Sequence, residues 1–306
     1  MKRCFGNKIK IDGWRRLRFL SAALVLMAMA SVPLAKADSV EVKPFLAFGA
    51  DLTASQKDTV LSQMGISRDE LVDYETIEVT NKEEHEYLDE YLDKSVIGTR
   101  ALSSVKIEEA DAGSGISVEI HNITFCTEEM YTNALATAGI GDASVVVAAP
   151  FEISGTAALV GAMKAYGKMT GDVIDSDSAD AATNELVVTG ELGESLGKDK
   201  AAQMVALLKS KVVGENLSSE EDILNAVDEA ADELDIQLTD EQRQKLKSLM
   251  DKINDLDLDV DKLKDQAQGI YDKLKDLDIN LDEAKGFFEK IADFFSQLWD
   301  KITSLF

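Results

Sequence analysis

The groups able to do acid–base or nucleophilic chemistry in this chain are few and poorly placed for it. Its two histidines are His85 and His121, and no G-x-S-x-G elbow presents a serine to either. A nucleophile needs a base within hydrogen-bond reach. Cys126 follows His121 by five residues, and on an extended segment an odd spacing sends the two side chains to opposite faces. Cys126 therefore reads as a buried structural thiol. Gly161 to Gly167-Lys168-Met169 approaches a phosphate-binding loop, but the spacer is one residue too long and methionine replaces the hydroxyl. The runs Asp172, Asp175, Asp177, Asp180 and Asp255, Asp257, Asp259, Asp261 have the acid density of calcium loops. They lack the glycine at position six and the glutamate at position twelve, so they read as solvated loops and helix caps. With 57 acids in the chain, no carboxylate pair stands out, Glu108 with Glu119 included. No catalytic residue, metal or cofactor is expected.

One segment is more distinctive. In Ala148-Ala149-Pro150-Phe151-Glu152-Ile153-Ser154-Gly155-Thr156 an apolar strand ends, a proline-marked turn follows, and Ser154, Gly155 and Thr156 open a helix. The free N–H groups of a helix start can hold an anion or a carboxylate; plain N-capping is the competing reading. A second segment is the C-terminal stretch 286–306. Phe287, Phe288, Ile291, Phe294, Phe295, Leu298, Trp299 and Ile302 recur on one broad helical face. Packing inside a helical domain, self-association and docking on a membrane surface all remain open for that face, although basic flanks are missing.

The elements that would position these residues divide at Pro150, because the chain has no proline after it. Before it the patterns predict helices over 51–64, 82–94 and 127–138, and strands over 74–80, 101–110, 116–123 and 145–149. Thr53 with Gln56, and Asn81 with Glu84, have the spacing of capping boxes. Asp111-Ala112-Gly113-Ser114-Gly115 reads as the turn of a hairpin. The resulting order β-α-β-β-α-β predicts an α+β domain of ferredoxin-like type over 38–170. Residues 171–306 predict an all-α domain, with capping boxes at Ser218–Glu221 and Thr239–Gln242. Apolar residues spaced by three and four from Leu246 to Leu305 form a heptad register that suggests a coiled coil or bundle seam. Leu256-Asp257-Leu258-Asp259-Val260 recurs as Leu277-Asp278-Ile279-Asn280-Leu281, with a weaker copy at Leu234 to Leu238. Asp and Asn favour helix starts over helix interiors, so each copy predicts a joint between two helices.

The first 37 residues supply an address. Seven Lys and Arg between Lys2 and Arg18 precede an apolar run from Phe19 to Val32, and Ala35-Lys36-Ala37 offers small residues at a cleavage site. That order is a Sec-type signal peptide cut near Ala37, and the run is too short to span a bilayer. Its removal takes eight basic residues and one Asp, leaving 24 basic against 56 acidic side chains and a net charge of −32. A surface this acidic repels nucleic acid. The mature chain keeps one thiol, Cys126, so it forms no internal disulfide.

Several blocks resemble the YpuA-like proteins, a family of secreted bacterial proteins classed as a domain of unknown function. They are Gly49-Ala50-Asp51-Leu52-Thr53, Gly113 to Thr124, Tyr131 to Tyr166, and Leu238 to Gln266. The resemblance covers nearly all of the mature chain; it implies export and supplies no catalytic residues. Together these readings predict an exported, envelope-associated or extracellular binding protein. Its partner would be a protein or cell-wall ligand, with self-association or a membrane surface as roles for 286–306. Two alternatives stand beside it: a hydrolase of wall polymer or peptide using acidic residues, and a membrane-surface protein acting through the C-terminal helix.

Overall fold

The computed structural model describes residues 43–171, 173–234 and 236–276. The leader with its cleavage site, the repeat copy at 277–281 and the aromatic residues from Phe287 to Ile302 lie outside the described residues.

Among these residues a five-stranded mixed sheet forms the centre, in the order β2-β1-β3-β5-β4. Its strands are β1 (Phe45–Gly49), β2 (Glu75–Val79), β3 (Ser104–Glu109), β4 (Ile116–Ile123) and β5 (Ala143–Ile153). Helix α1 (Ala54–Gln63) links β1 to β2, and α2 (Asn81–Leu88) with the short α3 (Lys94–Ile97) links β2 to β3. Helix α4 (Glu128–Thr137) links β4 to β5, and α5 (Thr156–Thr170) leaves β5. β1 pairs in parallel with β2, and β5 with β4. β3 lies between these two units, antiparallel to β1 and to β5.

This order corrects the ferredoxin-like expectation in two places. β1 has no alternation to betray it: all five residues of Phe-Leu-Ala-Phe-Gly are buried, because both sheet faces are covered there. The expected hairpin does not pair either. The chain reverses through Asp111–Gly115, but β5 fills the slot between β3 and β4. A turn motif reports that the chain reverses and says nothing about which strand lies alongside. β5 also runs through Pro150 to Ile153 instead of ending at Ala149. Its pairing with β3 ends at Ala148, so no ladder bond needs the missing N–H. At the same level β4 is irregular, with Asn122 at φ +59° donating its side-chain amide to the Ala149 carbonyl.

One sheet face packs on α4 and α5 through Ala47, Val105, Ile107, Val118, Val145 and Val147. Gly161 lets α5 lie close, since a Cβ there would come 3.0 Å from that of Ala47 and 3.1 Å from Val105 Cγ1. That contact accounts for the glycine in the helical pattern that mimicked a phosphate loop. The other face packs on α1 through Leu46, Phe48, Val60 and Leu61.

Five more helices follow: α6 (Ser176–Leu196), α7 (Lys198–Gly214), α8 (Glu220–Glu233), α9 (Asp240–Asn254) and α10 (Val260–Asp276). α6 contributes Ala182 and Leu186 to the sheet-side core and Val188 and Leu192 to a second core with α7, α8 and α9. The heptad register does not run through one helix. α9 stops at Asn254, and Asp259 accepts the N–H groups of Asp261 and Lys262 to start α10. The weaker copy also falls at a joint, between α8 and α9. Thr53–Gln56 and Thr239–Gln242 form the capping boxes read from sequence. The other two shift by one residue: Thr80 with Glu83 caps α2, and Ser219 caps α8. Among the described residues no helix is long and apolar enough to cross a membrane.

A charged pair crosses this packing. Lys209 Nζ on α7 lies 2.8 Å from Glu185 Oε1 on α6, with the two residues 1% and 0% exposed. Burial works against both charges, pushing the carboxyl up and the ammonium down, and their contact opposes that penalty. Lys209 also donates to the Asn133 carbonyl and to Thr137 Oγ1 at 3.0 Å each, and Thr137 donates to Glu185.

Candidate functional site

The turn Ser154-Gly155-Thr156 sits where β5 gives way to α5, and its geometry follows from Gly155. That residue has φ +96°, and a Cβ on it would come within 2.6 Å of Ile123 Cγ2 and of the Tyr131 hydroxyl oxygen. Tyr131, fully buried on α4, donates that hydroxyl to the Gly155 carbonyl at 2.6 Å. Glycine is therefore required both for conformation and for space.

A carboxylate does lie at this helix start, and it belongs to Glu84 of α2. Glu84 is 2% exposed. Thr156 Oγ1 donates to its Oε1 at 2.5 Å, Asn81 Nδ2 to its Oε2 at 3.3 Å, and the Ala157 N–H also bonds it. Burial pushes the Glu84 carboxyl above the usual range, against the pull of these donors. The next N–H of α5, on Ala158, goes to Ser103 Oγ at 3.0 Å. Because Thr156 spends its proton on Glu84, the 3.2 Å contact with Ser154 Oγ has Ser154 as donor. The anion position at the helix start is thus filled from within the chain.

A pocket of about 260 Å³ opens beside this cluster. Its polar lining includes Glu84, Ser103, Ser154, Thr99 and Arg100; Phe151, 44% exposed, stands at its wall. Arg100 is exposed and makes no ion pair with a described residue. His85 is held outside, with Nδ1 2.6 Å from Asp89 and Nε2 3.0 Å from the Gly98 carbonyl. The Asp89 contact raises its affinity for a proton.

Ser154, Gly155 and Thr156 come together here as one turn. Glu84, Ser103 and Arg100 are the residues that sequence reasoning did not assign to it. One local signal pointed to Glu84: two successive acids, Glu83 and Glu84, follow Thr80-Asn81, and a capping box uses only one. Glu83 takes the box, which turns Glu84 inward. The remaining sequence candidates separate. Cys126 is buried beneath Tyr131 and its thiol is pushed up to about 12 by burial, so it does not supply a thiolate. His121 lies on the sheet with Glu119, 3.1 Å away. Glu108 and Glu119 stand on strands separated by β5. Asp175 and Asp259 are helix caps, and Asp180 accepts from Lys252 at 2.6 Å. Among the described residues no group of three His, Cys, Asp or Glu is arranged to hold a metal.

A family model described as "Protein of unknown function (DUF1002)" matches residues 48–270, from the end of β1 well into α10. The chain is also 43% identical over 288 residues to "Uncharacterized protein YpuA" of Bacillus subtilis (strain 168), covering 94% of this chain and 97% of that protein. No solved structure matches the chain. An alignment this complete leaves no separate segment to carry the likeness, and the chain belongs to the YpuA-like DUF1002 family of proteins of unknown function.

Proposed function

We propose that this protein is exported by its leader and works outside the cytoplasm as a binding protein for an anionic group of a cell-wall ligand or partner. The observation that carries this reading is Arg100. In a chain of net charge −25, a guanidinium without an ion pair to any described residue lines a pocket whose buried carboxylate is already answered by its own chain. Arginine supplies a planar fork of donors suited to carboxylate or phosphate. Ser154 and Thr99 add hydroxyls, and Phe151 adds an apolar wall.

The test titrates the mature protein with glycerol 3-phosphate and with acetyl-D-alanine as minimal phosphate and carboxylate probes, read by calorimetry. Saturable binding that weakens about tenfold or more in Arg100→Ala supports the reading. Binding untouched by that change, or none, removes it. Export is checked by N-terminal sequencing of protein from the culture medium or envelope, with Asp38 as the expected first residue.

One observation favours a second reading, hydrolysis with Glu84 as the acid: its carboxyl is raised and linked through Thr156 to Ser154. Turnover of peptidoglycan or peptide that vanishes in Glu84→Gln would establish it. Membrane contact or self-association through 286–306 is a separate proposal, tested by liposome flotation and light scattering of the mature chain beside one ending at Lys285.

A further inference from the structure

A second cavity, remote in sequence from the Arg100 pocket, presents a different chemistry. A groove of about 330 Å³ runs between α4 and α10. Ile116, Ala136, Ile140 and Ile270 give it apolar walls. Its polar groups are unusual in what they lack. Glu129, in the first turn of α4, is only 9% exposed and lines the groove, yet its carboxylate has no hydrogen bond or ion pair with any described residue. Buried carboxylates are ordinarily paired or hydrogen-bonded. The local helix macrodipole favours its negative charge without occupying its oxygens.

Gln266 on α10 stands in the facing wall. Its Nε2 donates to the Thr132 carbonyl at 2.8 Å and to Asn133 Oδ1 at 3.1 Å, which fixes the amide's orientation. Its Oε1 is then buried without a donor. Asp265 adds an exposed carboxylate at the rim. The opposite end is closed differently: Lys262 lies across Gly141, and the Gly115 N–H, at 2.8 Å, helps hold Asp142 below the usual carboxylate range.

Glu129, a carboxylate without a donor among the described residues on an apolar groove, suits a ligand donor that carries positive charge. A metal ion is a poor answer, since among the described residues Glu129 joins no group of acids, histidines or cysteines that could form a ligand set. An organic cation fits: its head meets Glu129, and its methylenes cover Ala136, Ile140 and Ile270. The lining runs from Glu129 to Ala136 on α4 and from Lys262 to Gly269 on α10, two turns on each helix, so the groove runs about 10 Å. That length suits a short aliphatic chain. We infer that the α4–α10 groove is a binding site for an aliphatic primary ammonium, held by Glu129. The chain's acidity, net −25, raises the local concentration of such cations.

The experiment uses the mature chain at fixed ionic strength, titrated with n-butylammonium chloride and followed by calorimetry and thermal unfolding. Sodium butyrate, with the same carbon chain and no cation, is the control. The expected result is one-site saturable binding of butylammonium, none of butyrate, and at least a tenfold loss in Glu129→Gln. Ala136→Phe fills the groove without touching a charge and abolishes binding as well; circular dichroism verifies that both variants fold. Absence of saturable binding, or binding unchanged in both folded variants, overturns the inference. Nα-acetyl-lysine-N-methylamide then separates the sources: binding equal to the free amine identifies a lysine side chain as ligand, and binding of the free amine alone identifies a small metabolite. Arg100→Ala leaves butylammonium binding unchanged, which keeps this result independent of the pocket beside α5.

Discussion

Glu84 beside α5 and Glu129 beside α10 are both acidic residues with little exposed surface, and their surroundings differ in one respect. Glu84 meets Thr156, Asn81 and the Ala157 N–H, donors from its own helix and from α5. Glu129 meets an open groove and no donor among the described residues. The first arrangement ties two elements together, because each donor would lose its acceptor if α2 moved from α5. The second ties nothing. Glu185 belongs with Glu84: Lys209 and Thr137 answer it, and through them α6, α7 and α4 are joined. A buried charge that its own chain satisfies is architecture, whereas one left unsatisfied beside a cavity is placed for something from outside.

The largest expected effect breaks the comparison on its satisfied side. Lys209→Met leaves Glu185 buried without its counter-charge and lowers unfolding free energy by about 3–5 kcal/mol in urea titrations. Adding Glu185→Leu recovers most of that loss, since a pair of apolar residues carries no desolvation cost. A single variant as stable as the parent would show that the pair does not join the helices.

Glu84→Gln is intermediate. The new amide nitrogen faces a donor, at a cost of about 1–3 kcal/mol near pH 4. The pH dependence has a definite sign. A carboxyl raised in the folded state binds its proton more tightly folded than unfolded. Its contribution is therefore greatest below the ordinary carboxylate value near 4.3 and declines as pH rises through the raised folded value. The stability difference between parent and variant shrinks over that interval, measured by urea unfolding at a series of pH values. A flat difference would show that burial does not penalise the ionised form.

Glu129→Gln is expected to change least, by less than about 1 kcal/mol in the same assay, because it removes no contact and weakens only a helix-dipole interaction. A loss as large as that for Lys209 would mean that Glu129 is structural, and the contrast between the two regions would collapse.

Much of the helical framework was legible locally. Thr53 with Gln56 and Thr239 with Gln242 cap helices as their spacing requires, and the repeats at 234–238 and 256–260 fall at joints, the second opened by Asp259 as a cap. The sheet was less legible. β1 is buried on both faces, so it shows an apolar run where period-two reading looks for alternation. The reversal at Asp111–Gly115 hid the strand between its arms. The site was half visible. Ser154, Gly155 and Thr156 were marked by turn chemistry, but the carboxylate they receive comes from Glu84, 72 residues before Thr156, after a one-residue shift of the α2 cap.

Caps and helix joints were set by interactions within a few residues, which is why they could be read along the chain, whereas the space that requires glycine at 155 is set by Ile123 and Tyr131. Strand order, the partners of Glu84 and Glu185, and the groove beside Glu129 were decided only when distant segments packed. Each depends on which donors arrive at a buried acceptor, and a donor 24 or 72 residues away leaves no mark on the acceptor's own neighbourhood.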